Sequence, residues 1–303
     1  MKIAMSFGTA ALLLASVAAA PAQSAASPEH QAANQPANQS ASQNSAKPAA
    51  AKKAPQARSK AELDAYRSAA AQTDPAKLET AATEFAQRYP ASELRAFLFQ
   101  RAMGLYEQAN NADKTLEMAR AELKYDPSNA VALLTAARML AENTHDSNLD
   151  RDARLAEADA DARGALQHAG EMTQPAGLTT KQFADAIAQL RGAAHEAIAT
   201  VDYKKRDYFN AIREYDAAVA DEMEHADAVV WLRLAVAHDK VREYELGLAD
   251  AEKAIVNSQA GSPVRELAEQ EKARLVELIT VKPAQKQSED SPAAGADAGV
   301  HSN

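Results

Sequence analysis

The chain contains no cysteine. That removes disulfides, thiolate metal ligands and thiol nucleophiles together, and with them a lipid-modified cysteine at a processed N-terminus. Aromatic residues are only 5% of the sequence, with a single tryptophan, so a thick core built on large rings is not available. Ten glycines are spread over 303 residues, and none belongs to a Gly-rich phosphate loop. The β-branched alternation that strands require is scarce. Positive charge is in deficit as well. Net charge is −9, and residues 61–281 hold 25 Lys and Arg against 38 Asp and Glu, or −13. Such a surface repels a phosphate backbone, so nucleic acid is not an expected partner. What is abundant is alanine among 47% apolar residues, a composition suited to helices that pack closely.

One long apolar run exists, at the N-terminus. Lys2 is followed by Ile3 to Ala20, centred on Leu12, Leu13, Leu14 and Val17, and Ala20-Pro21-Ala22 offers a small-x-small cleavage site. Residues 1–22 therefore read as a signal peptide, with a mature chain from Gln23 that is periplasmic or secreted and keeps no stable membrane insertion. The alternative is an uncleaved anchor, which Ser6, Gly8, Thr9 and Ser16 weaken. Residues 23–58 are Ala, Gln, Asn, Ser and Pro with few large hydrophobes, and are expected to be disordered. As a tether they would span on the order of 30–40 Å. A second disordered tail is expected over residues 282–303.

Between these flanks, residues 59–281 carry helical periodicity interrupted by breaks. These fall at Thr73-Asp-Pro75, Tyr89-Pro90, Asn110 to Asp113, Asp126 to Asn129, Asn143 to Asp150, Gly170 to Gly177, Asp221 to His225 and Asn257 to Pro263. Asp113 is placed to cap a helix ending near Leu123, and Ser262-Pro263 to start the last one. The spacing implies antiparallel neighbours joined mostly by short turns.

A pattern recurs within that region. In residues 228–260, Trp231 and Leu234-Ala235 precede Tyr244, Gly247, Ala251 and Ala254, with large residues where two helices must touch and small ones where backbones must approach. A poorer copy, from about Gly192 to Glu224, has Ile198-Ala199, Tyr208, Ala211, Tyr215 and Ala218, with His195 at the position of the tryptophan. Residues 96–129 offer Phe99, Ala102, Tyr106 and Asp126-Pro127, with Thr115 and Glu122 at positions otherwise small. A unit from Ala130 has Leu133, Ala136-Ala137 and Leu140, its second helix displaced by a loop to Leu155, Ala158, Ala162 and Ala165. Residues 61–93 look like a partial copy with Ala81, Phe85 and Tyr89, and Pro263 to Ile279 would cap the array.

These residues resemble the tetratricopeptide repeat family, whose unit is a helix–turn–helix of about 34 residues. The resemblance implies an all-α, right-handed superhelical stack of antiparallel helix pairs, against the alternative of a plain alanine-rich bundle. It also implies an inner concave surface lined by the first helix of each pair. Projected onto this chain, that surface takes Phe97, Gln100 and Gly104; Val131, Leu134 and Arg138; Glu196, Thr200, Tyr203 and Lys204; and Val229, Leu232, Val236, Asp239 and Lys240. For each apolar member the alternative is packing against a neighbouring helix. Some family members clamp a peptide carboxylate with Lys and Asn at inner positions. Gln100, Gly104, Leu134, Arg138, Glu196 and Thr200 stand at the matching places, so that mode is not expected.

Chemistry is thin elsewhere. His195-Glu196 begins a metalloprotease-like pattern, but the residue four on from His195 is Ala199, so the second ligand is missing. No two of the seven histidines stand at i, i+4 spacing, and Glu222-Met-Glu-His225 reads as a solvated acidic turn. Serines concentrate in the flanks, where nothing would hold a nucleophile. No catalytic residue, metal or cofactor is expected. The expected function is a non-enzymatic scaffold of the cell envelope that holds a protein or peptide partner. The alternative is a structural spacer in envelope assembly, acting through its flanks.

Overall fold

The computed structural model describes residues 55–175, 177–222 and 226–289, with backbone alone for residues 222 and 282–289. The expected signal peptide, and all but the end of the 23–58 linker, lie outside the described residues. Eleven helices and no strand occur among the described residues: α1 (Lys60–Ala70), α2 (Pro75–Arg88), α3 (Arg95–Gln108), α4 (Ala112–Leu123), α5 (Ala130–Asn143), α6 (Arg151–Ala169), α7 (Thr180–Lys204), α8 (Tyr208–Glu222), α9 (Ala228–Lys240), α10 (Tyr244–Val256) and α11 (Pro263–Glu289). Each packs on the next, and α1 meets α3, α5 meets α7, and α9 meets α11. This is a stack of five helix pairs closed by a last helix, not a bundle around one centre.

Alanine makes the stack possible. Ala102, Ala119, Ala136, Ala158, Ala162, Ala211, Ala218, Ala235, Ala251 and Ala254 are wholly buried, and each places nothing larger than a methyl between the packed helices. Larger side chains fill the seams. Leu98, Leu140, Leu155, Ile198, Leu234 and Leu275 are fully buried, each stabilising the fold by about 1.5–3 kcal/mol relative to exposure. Tyr66 meets Phe85 edge-on at 6.2 Å and the Tyr89 hydroxyl donates to the Ala61 carbonyl at 3.2 Å, so residues 61–93 form a complete helix pair.

Boundaries differ from expectation at three places. The cap of α4 is Asn111, whose side chain accepts from Lys114 N at 3.1 Å, and Asp113 lies inside the first turn. Helix α7 starts well before Gly192, at Thr180, because Thr179 and Gln182 form a reciprocal capping box. Helix α11 runs past residue 281 and through Pro283 to Glu289. Lys282, Ala284, Gln285, Lys286 and Gln287 are good helix formers, which offsets the hydrogen bond the proline removes.

Three of the turns inside pairs share one backbone. Asn110, Arg206 and Arg242 have φ of 53°, 66° and 64°. In each case the next N–H reaches back five residues: Asn111 to Tyr106 O, Asp207 to Asp202 O and Glu243 to His238 O, at 2.9–3.0 Å. This left-handed helix end favours glycine or asparagine, and arginine there costs roughly 1 kcal/mol.

Candidate functional site: the face of the odd-numbered helices

Helices α3, α5, α7 and α9 present the residues expected inside a groove, and two regions of that face differ in kind. Over α3 and α5, Phe97, Gln100, Gly104, Val131, Leu134 and Arg138 are all half-buried. A Cβ built on Gly104 would meet nothing within 4 Å, so the face is notched there. The Arg138 guanidinium lies 3.9 Å from the Glu107 carboxylate, a loose pairing across α3 and α5.

From Glu196 onward the face is occupied by its own contacts. Arg233 of α9 reaches back across α7 to α5, its Nη1 donating to Glu196 Oε1 at 2.8 Å and to Thr200 Oγ1 at 3.2 Å. Its Nη2 lies 2.8 Å from Glu142 Oε1. The guanidinium thus ties three odd-numbered helices together. Burial pushes the Glu196 carboxyl above its ordinary range, opposed by Arg233. Thr200 is itself buried and stands 3.3 Å from the Tyr215 hydroxyl, whose pKa burial raises.

Lys204 does not line the groove as its position implies; its Nζ donates to the carbonyls of Ala141, Glu142 and Thr144. It caps the C-terminal end of α5, and burial holds its pKa below the usual lysine value. The reason is local. Arg151 donates to the Lys204 carbonyl, folding the α5–α6 loop onto the end of α7 and bringing Lys204 to the orphan carbonyls. Glu196, Thr200 and Lys204 therefore serve the stack. Tyr203 packs edge-on against Tyr208 at 5.2 Å. Asp239 is held by Arg274 of α11 at 2.5 Å, Leu232 is buried, Val229 and Val236 are half-buried, and Lys240 is exposed at the helix end.

Sequence reasoning missed Glu142 and Arg233, though both had a signal. Each lies one helical turn beyond a residue assigned to the face by spacing, Arg138 and Val229.

Of the residues assigned to packing between helices, Phe99, Tyr106, Ala199 and Leu234 are buried with the alanines that line the seams, and Gly247 is buried too. Tyr208, Trp231 and Tyr244 are half-buried, and the Lys253 ammonium sits 4.1 Å over the Trp231 ring. Pro127 stands in the turn after α4, where it ends a helix and is exposed rather than packed between helices. Thr115 and Glu122, at positions otherwise small, are buried. The Thr115 hydroxyl donates to Asn111 O at 2.8 Å, and Glu122 Oε1 accepts from Asn129 Nδ2 at 2.5 Å.

His195 lies between α7 and α8, its Nδ1 2.8 Å from Glu214 Oε2 and its Nε2 3.8 Å from Asp221. Among the described residues no three His, Asp or Glu side chains converge as a metal site would need. A cleft of 390 Å³ lies between the end of α6 and the start of α7, lined by Ala169, Met172, Phe183, Ile187 and Arg191, with Arg191 Nε donating to Asp221 at 3.2 Å. No described helix is long and apolar enough to cross a membrane.

No family model and no curated protein matches the chain. Among solved structures, the assembly chaperone of RpL4 (Acl4) is similar over 73% of this chain and 98% of its own, at 11% identity and a TM-score of 0.38. The TPR domain of P58(IPK) is similar over 76% of this chain and 68% of its own, at 12% identity and a TM-score of 0.28. At those scores neither likeness bears on function, and the fold rests on the helix pairs themselves.

Proposed function

We propose that this protein is a non-enzymatic adaptor that holds an extended or helical segment of another protein against the face of its odd-numbered helices, in the cell envelope after export. One observation carries the reading: over α3 and α5 that face stays half-exposed, mixed in polarity and notched at Gly104, while over α7 and α9 it is filled by the protein's own ion pairs. The binding segment is therefore placed on Phe97, Gln100, Leu134 and Arg138. Apolar side chains there would supply contact, and Arg138, half-buried beside Glu107, would supply a charge for an acidic residue of the partner.

Crosslinking in the native envelope fraction, followed by mass spectrometry, tests this. Arg138→Glu and Gly104→Gln should each remove the partner that the parent captures, while Lys240→Ala on the far part of the face should retain it. Unchanged capture by Arg138→Ala combined with Tyr203→Ala would remove the groove assignment. Recovery of the parent from the cytoplasmic fraction with residues 1–22 intact would remove the export assignment.

A further inference from the structure

Half-buried apolar side chains form a strip along the edge of the stack where the odd-numbered helices begin. Phe97 stands in the first turn of α3, Val131 in that of α5 and Phe183 in that of α7, with Leu134 and Ile187 one turn further in. Phe97 and Val131 pack against one buried cluster. Val131 and Leu134 share a second with Met172 and Ile187, around Ala130, Ala169 and Leu190. Met172 and Ile187 also line the 390 Å³ cleft, together with Phe183. The α3–α5 face and the α6–α7 cleft thus adjoin, and the early start of α7 at Thr180 supplies the last section. With neighbouring helix axes 8–10 Å apart at close packing, three such helices make the strip roughly 20–25 Å long.

The chain leaves the described structure beside this strip. The first turn of α1 sits against the turn into α3, where the Tyr89 hydroxyl donates to Ala61 O at 3.2 Å. Arg58 N donates to Glu62 Oε2 at 2.7 Å, and Ala57 packs on the same buried cluster as Phe97. Residues 1–54 therefore start from the edge that carries the strip. Of the two flanks, only residues 1–22 hold an apolar run, with Phe7, Leu12, Leu13, Leu14 and Val17. Residues 23–54 contain no Val, Ile, Leu, Met or aromatic, and residues 290–303 contain Val300 alone. The lengths fit as well. Ile3 to Ala20 is 18 residues, about 27 Å as a helix. The 34 residues from Pro21 to Ala54 span about 30–35 Å as a coil, enough to return the segment to the strip. Its one charged side chain, Lys2, is opposite in sign to the −13 of residues 61–281.

We propose that, while residues 1–22 remain attached, Ile3–Ala20 lies on this strip and keeps the partner segment out. Segment and partner need the same Phe97 and Leu134, so the two exclude each other. A tethered segment acts at an effective concentration on the order of millimolar, which a partner free in solution does not match. Cleavage after Ala22 ends that advantage, so removal of the segment is the step that opens the site. The regulatory half of the proposal rests on the α3–α5 face being the partner site; the contact half does not.

The chain has no cysteine, so Ser16→Cys in the full chain carries a single benzophenone. Irradiated at low concentration without detergent or lipid, it should join, within one chain, to peptides holding Phe97, Leu134 or Phe183, located by mass spectrometry. Leu12→Asp with Leu13→Asp should cut those products at least tenfold. Both positions lie outside the stack, so its folding is not in question. A fluorescent peptide of residues 2–20 is then the probe for the vacated strip. It should bind the Leu12→Asp, Leu13→Asp chain at least tenfold more tightly than the parent, whose strip is filled. Products that join two chains, that scatter over α9 to α11, or that survive Leu12→Asp with Leu13→Asp overturn the proposal. So does equal peptide binding by the two chains. If these tests succeed and the cleaved chain still captures no envelope protein, the contact is upheld and the adaptor reading alone is removed.

Discussion

A Cβ placed on Gly247 would stand 3.0 Å from the carbonyl oxygen of Ala235, with Leu275 Cδ1 at 3.3 Å and His238 Cβ at 3.4 Å. Three helices, α9, α10 and α11, meet at that point with room for a hydrogen and little more. The backbone oxygen cannot swing aside as a side-chain tip would. Gly247→Val should therefore lower unfolding free energy by about 2–3 kcal/mol in urea titration. Gly104 is the internal comparison, since open space surrounds it and it lies mid-helix in α3. Gly104→Ala should raise stability by about 0.5–1 kcal/mol through helix propensity. A reversed order would mean that close approach does not set the α9–α10 contact.

Arg233 joins α9 to both α5 and α7, through Glu142 and Glu196. Its removal leaves two carboxylates facing each other with little solvent, so Arg233→Ala should cost about 3 kcal/mol. Adding Glu142→Gln and Glu196→Gln to that variant should recover part of the loss, because the repulsion disappears with the charges. A double-mutant cycle from denaturant melts measures the coupling. Additive losses would show that the three groups are neighbours without interacting.

The stack itself was legible in the sequence because its signal is redundant. Trp231, Leu234, Gly247, Ala251 and Ala254 mark one pair, and helical period with proline and asparagine breaks marks the rest. The shared left-handed turns were not legible, since Asn110, Arg206 and Arg242 have no residue type in common and only the φ angles align them. The start of α7 was missed for a related reason. That repeat copy begins near Gly192, and the capping box at Thr179 lies before it. On the odd-helix face, spacing identifies which side chains point one way but not which of them find partners on the next helix. Lys204 turns toward the end of α5 because of a loop contact made by Arg151, far away in sequence.

Glu122 makes stability depend on pH. It is 1% exposed, its Oε2 has no hydrogen-bond partner, and burial beside Asp126 pushes its pKa up to about 8. A carboxyl whose folded value is raised contributes stability that is fully present below the unfolded value, near 4.5, and lost as pH rises through about 8. The protein should accordingly weaken between about pH 5 and pH 9 by a few kcal/mol from this group alone. Glu122→Gln should flatten that slope and be the more stable form at the alkaline end, with Asn129 still able to donate to the remaining carbonyl oxygen. Thermal melts across that range, compared between the two forms, decide it. Parallel slopes would mean that Glu122 does not carry the shift.

Lys204 offers the sharpest local readout. Its ammonium satisfies the carbonyls of Ala141, Glu142 and Thr144, which a helix end leaves without intrahelical partners. Lys204→Met keeps the stem and its packing but removes all three donors, at a cost of about 1.5–3 kcal/mol. The loss should be localised. Amide exchange in the last turn of α5 and in the loop to Arg151 should quicken by one to two orders of magnitude, on the conversion of about 1.4 kcal/mol per factor of ten. Amides in α9 and α10 should hold their protection. A uniform rise across the domain would instead mark Lys204 as part of the global core, and no change would mean that water caps α5 equally well.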